Sequence, residues 1–92
     1  MHAIAVSRAA LGLYFWTVTR QGHTLVEGDA EGSIEACLRA ARPVVETERL
    51  VEVAYQGLTM GTVTTQALTE DPVRMASWVE DCMGSLAGAL NA

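Results

Sequence analysis

The chain contains no lysine. Its six basic residues are all arginine and face eleven acids, for a net charge of −5. Nucleic-acid binding draws on clustered positive charge that displaces counterions from phosphates. The six arginines are scattered, so direct DNA or RNA binding is not expected, and an anionic membrane surface is disfavoured on the same ground. The acidity is uneven: residues 1–46 carry four Arg against five acids (−1), and residues 47–92 carry two Arg against six (−4). No apolar run reaches the ~20 residues that cross a bilayer. The opening MHAIAVSRAALG lacks the basic start and long apolar core of a secretory signal, and the expectation is a soluble, cytoplasmic chain.

Chemistry-bearing residues are equally sparse. Cys37 and Cys82 stand 45 residues apart, a spacing that fits no zinc or redox motif and suits small buried hydrophobes. His2 and His23 are the only histidines, so neither a metal centre nor any other cofactor is expected. Ser7, Ser33, Ser77 and Ser85 have no G-x-S-x-G around them. Gly28 and Gly32 precede a helix without the Lys-Ser/Thr of a phosphate loop. The acid groups at Glu27/Asp29/Glu31, Glu46/Glu48 and Glu70/Asp71 flank turns or caps, where structure accounts for them. No catalytic residue is assigned.

Half of the 92 residues are hydrophobic, enough for one core and one domain spanning residues 1–92. Residues 53–69, VAYQGLTMGTVTTQALT, form seventeen positions without a charge. They read as a strand, a Gln56-Gly57 turn and a Thr-rich strand over 58–67, with Gly61 marking a bulge. Upstream, residues 3–8 suit a short strand, and LYFWTVTR (13–20) is the strongest strand signal. A Gln21-Gly22 turn leads to a returning strand over 23–28. Alternation puts Tyr14, Trp16 and Val18 on one face of that strand and Leu13 and Phe15 on the other, so both faces are apolar. Helices cover only one side of a sheet, which leaves one of these faces wet.

Ser33 is an N-cap for a helix whose apolar stripe is Ile34, Cys37, Leu38, Ala41, Val44 and Val45, with Pro43 kinking it or starting a final turn. Asp71 and Pro72 start a second helix of roughly 19 residues with Met75, Trp78, Val79, Cys82, Met83, Leu86, Ala89 and Leu90 on its apolar side. Gly84 and Gly88 give that helix a close-packing surface for its own sheet. The expected fold is α+β: an antiparallel sheet of four or five strands with two helices mainly on one face, in ββα-ββα order. The uncharged strand 58–67 lacks the Lys, Pro or acid that protects an edge. It is expected to be central or to pair with a symmetry mate.

Gly12, Tyr14, Gly28-Asp29 and Glu35-Ala36 stand at spacings that resemble the N-terminal domain of HicB-type antitoxins, over residues 3–46. The resemblance implies a small protein that acts by binding another protein. The chain departs from that family in its short Gln-Gly turn, its second half, and the lack of a tail resembling a DNA-binding motif.

The functional expectation is a small non-enzymatic binding or regulatory protein working through protein–protein contacts as a homodimer, of a kind that a mobile element encodes. Its interface candidates are Tyr14, Trp16, Met60, Thr62, Thr64 and Trp78. The alternatives are a small-ligand binder or enzyme with its site between subunits, a structural subunit of an assembly, and the antitoxin-type domain.

Overall fold

The computed structural model describes the backbone of residues 1–91 and the side chains of residues 1–82. The order is β1 (His2–Ala10), β2 (Leu13–Arg20), β3 (His23–Glu27), α1 (Ile34–Val45), β4 (Leu50–Tyr55), β5 (Leu58–Thr64), α2 (Thr65–Glu70) and α3 (Pro72–Asn91). The fold is α+β, with one five-stranded sheet in the order β3-β2-β1-β4-β5.

Two tight turns set the hairpins. At Gln21-Gly22 φ is 51° and 82°, and at Gln56-Gly57 it is 53° and 80°. Two successive positive φ values give the turn twist that matches paired antiparallel strands. The sheet is nevertheless mixed, because its central pair, β1 and β4, runs parallel with Ile4 opposite Val53. This corrects the all-antiparallel expectation. The twelve residues of α1 rise about 18 Å, roughly the length of the sheet. They return the chain to the end where β3 began, so β4 must run in the direction of β3 and β1. The first unit also has three strands before its helix, so the order is βββα-ββαα.

The interior forms on one face. Ile4, Val6, Trp16, Val18, Val51, Val53 and Tyr55 point from the sheet into a buried cluster. They meet Ile34, Cys37, Leu38, Ala41 and Val45 of α1, Leu68 of α2, and Ala76 and Val79 of α3. Full burial of a side chain such as Leu38 or Val79 stabilises the fold by about 1.5–3 kcal/mol. Ser33 caps α1, its Oγ accepting from Ala36 N at 3.1 Å, and Pro43 lies inside the continuous helix. Asp71 Oδ1 accepts from Arg74 N at 3.0 Å, with Pro72 opening α3. Met83, Gly84, Ser85, Leu86, Gly88, Ala89 and Leu90, named above for packing or as possible nucleophile, lie outside the described side chains.

The Thr-rich strand differs most from its expected form. It ends at Thr64 and lies at the sheet edge, so it is not central. Thr64 Oγ1 accepts from Ala67 N at 3.1 Å and turns the chain into α2. Thr65 then locks that turn: its hydroxyl donates to the Glu48 carbonyl at 2.6 Å, and its N–H donates to the Arg49 carbonyl at 3.1 Å. The bulge expected at Gly61 is present. Gly61 faces Val53 and Thr59 faces Ala54, which leaves Met60 as the extra residue.

Candidate interaction surface

Among the described residues, no helix packs on the outward face of the sheet. Its residues follow from register. Thr62, Glu52, Ala3 and Thr19 form one row across β5, β4, β1 and β2, and Thr59, Ala54, Ala5 and Thr17 form the next. Beyond them Phe15 stands opposite Ser7, and Leu13 opposite Ala10. Leu50, opposite Thr64, closes the other end. An open antiparallel face ordinarily alternates to polar residues. Here its centre is Ala3, Ala5 and Ala54, all half-buried, and its ends are bulky and apolar. Phe15 is 40% exposed, Leu13 37% and Leu50 43%. Leu11, in the turn beside Leu13, is 88% exposed. Glu27 and Glu52 are the acids on this face, and no arginine shares its rows.

The six residues expected at an interface fall in three places. Trp16 is 7% exposed and lies in the chain's own core. Its ring packs so closely on Gly28 that a Cβ there would overlap the indole. Its Nε1 has no hydrogen-bond partner among the described residues. Tyr14 is half-buried on the helix side, and its backbone exchanges hydrogen bonds of 2.9 and 2.8 Å with Glu31. Met60 is the bulged residue of β5 and Trp78 lies against the neighbouring Gly61, both half-buried against the core. A Cβ at Gly61, where φ is +155°, would come within 3.1 Å of the Trp78 ring. Thr62 and Thr64 are exposed on the outward face. The structure thus sets Trp78 beside Gly61 in the β5 bulge and puts Thr62 and Thr64 on one face, but gathers no six-residue patch. Leu11, Leu13, Phe15 and Leu50, none of them among the six, supply the larger exposed apolar surface. Strand alternation placed Leu13 and Phe15 opposite Trp16, and that was the signal available for them.

Ionisable groups are dispersed. Burial, and secondarily Glu31, pushes the Cys37 thiol up to about 11. Burial raises Tyr55 too, with Tyr14 and Glu80 adding and Arg8 opposing. His2 is buried, its Nδ1 2.7 Å from Glu48 Oε1 in a close approach that lacks hydrogen-bond alignment. Among the described residues no three His, Cys, Asp or Glu side chains converge as metal ligands. An open groove of about 230 Å³ runs between α1 and α3, lined by Ser33, Ile34, Glu35, Val73, Ala76, Ser77 and Glu80. Glu35 there is already paired to Arg39 at 3.0 Å. Among the described residues no helix is long and apolar enough to cross a membrane. No protein-family model, curated protein or solved structure matches the chain.

Proposed function

We propose that this chain is a small binding or regulatory protein that acts through protein–protein contacts and works as a homodimer. The observation that carries the reading is the uncovered sheet face, whose centre is alanine and whose exposed ends are Leu13, Phe15 and Leu50. Leu13 and Phe15 lie together at one end of that face, and neighbouring exposed apolar side chains mark an interaction site more often than scattered single ones do. The edge strand β5 adds to it, being uncharged and without lysine or proline along Leu58–Thr64. Two-fold self-association is the commonest way for one chain to cover such a surface. Light scattering on the purified protein tests the reading. The expected mass is twice the 9.8 kDa of the chain; a single-chain mass at every concentration reachable would refute the homodimer.

A further inference from the structure

We infer that the open sheet face docks an amphipathic helix of a different protein, apolar where it meets the sheet and carrying lysine or arginine along its flanks. This rests on the protein-contact part of the reading above, names the partner's chemistry on this face, and leaves a second copy the β5 edge. Three observations carry it.

The first is charge. Glu52 is half-buried in the row of Ala3, and Glu27 is exposed at the β3 rim in the row of Ala5. Among the described residues the ion pairs are His2–Glu48 and Glu35–Arg39, so neither acid of this face has a cation. The chain has no lysine to supply one. Its arginines stand elsewhere: Arg8 and Arg20 alternate to the helix side, Arg39, Arg42 and Arg74 are on α1 and α3, and Arg49 precedes β4. A second copy would bring the same two acids and a further charge of −5. Complementary potential therefore selects a basic partner, and the same acids repel nucleic acid and anionic lipid. The second is the direction of the strands. The central pair β1 and β4 is parallel, and parallel strands ordinarily have helices over both faces; among the described residues, helices cover one. The third is shape. Ala3, Ala5 and Ala54 floor a shallow trough on the two central strands, with Phe15 toward one end and Leu50 toward the other. Those ends lie three rows apart, about 20 Å along the strands, which is the length of a helix of about 14 residues.

The probe is a synthetic helical peptide of about 14 residues, with leucine along one stripe and lysine on its flanks. The control peptide carries glutamate at every lysine position. Titration of labelled peptide with the purified full chain reads affinity by fluorescence anisotropy, and backbone amide shifts read where the peptide lies. The leucine–lysine peptide is expected to bind, to move the amides of Ala5, Glu52 and Ala54, and to weaken as salt rises from about 50 to about 500 mM. The glutamate peptide should not bind. Phe15→Ser is expected to weaken binding at least about 10-fold, as loss of an aromatic anchor, and Glu52→Gln at least about 3-fold. Glu80→Gln, on α3 beyond the other face of the sheet, should leave it unchanged. Circular dichroism checks that each variant folds. No binding, equal binding of the two peptides, equal loss in Glu52→Gln and Glu80→Gln, or shifts confined to α1 and α3 would overturn the inference. Light scattering on the protein alone separates this from the homodimer reading. A dimer that ignores the peptide removes the inference and keeps that reading, whereas a monomer that binds it on the open face removes the dimer and keeps the inference.

Discussion

Replacing Gly28 by alanine tests how the core is held at its most crowded point. Gly28 follows β3, and its N–H donates to the Trp16 carbonyl at 2.8 Å, which fixes this backbone beside its own strand partner. A Cβ there would overlap Cε2, Cδ2 and Nε1 of the Trp16 indole. The indole is 7% exposed and packed in the cluster that includes Val6 and Ile34, so it cannot move aside without displacing neighbours. Overpacking of this kind costs about 1–3 kcal/mol. Against a total of roughly 5–14 kcal/mol for a chain of this length, that is a large fraction. It corresponds to a fall in melting temperature of about 4–8 °C per kcal/mol. Urea unfolding followed by circular dichroism measures the change, and Trp16→Leu supplies the second arm of a double-mutant cycle. Once the indole is gone the added methyl has room, so Gly28→Ala should cost less in the Trp16→Leu background by at least about 1 kcal/mol. Equal costs in both backgrounds would show that the indole does not set the requirement for glycine.

Two other perturbations probe separate parts of the chain. Thr64→Ala removes the hydroxyl that accepts from Ala67 N and is expected to destabilise the fold by about 0.5–2 kcal/mol, measured by urea unfolding; Thr64→Ser should restore most of the loss. Cys37 should resist thiol reagents in the folded protein at mildly alkaline pH, where half-buried Cys82 reacts first. Its pKa is raised from 9.0 to about 11, so between those values the unfolded chain holds fewer protons at this site than the folded one. The stability linked to this thiol is therefore fully present below pH 9 and declines toward pH 11, and unfolding curves of Cys37→Ala against wild type across that window should show the difference narrow.

Local signals carried much of the architecture. The Gln-Gly turns, the strand over 13–20, and the Ser33 and Asp71 caps depend on residues within a few positions of one another, and each stands where its chemistry places it. The direction of β4 was not legible in this way, because it depends on where α1 sets the chain down. Nor was α2. Residues 65–69 continue the uncharged stretch, and what converts them to helix is a tie from Thr65 to the carbonyls of Glu48 and Arg49, seventeen and sixteen residues away. At the candidate site, aromatic character is shared by Trp16 and Phe15, and side-chain parity decides which is exposed. Phe15 faces outward because strand β2 turns every second residue away from the helices.

The parallel seam between β1 and β4 divides the molecule by kinetic accessibility. On one side β1, β2 and β3 are linked by two-residue turns; on the other, β4 and β5 form a hairpin of their own. Across the seam His2 meets Val51, and closing so long a loop costs about 3 kcal/mol more in chain entropy than closing a two-residue turn. Both local units can therefore form before the sheet is continuous. Until the seam closes, each presents one unpaired strand edge, that of β1 on one and of β4 on the other. The strands most protected in the finished sheet are thus the last to complete their pairing.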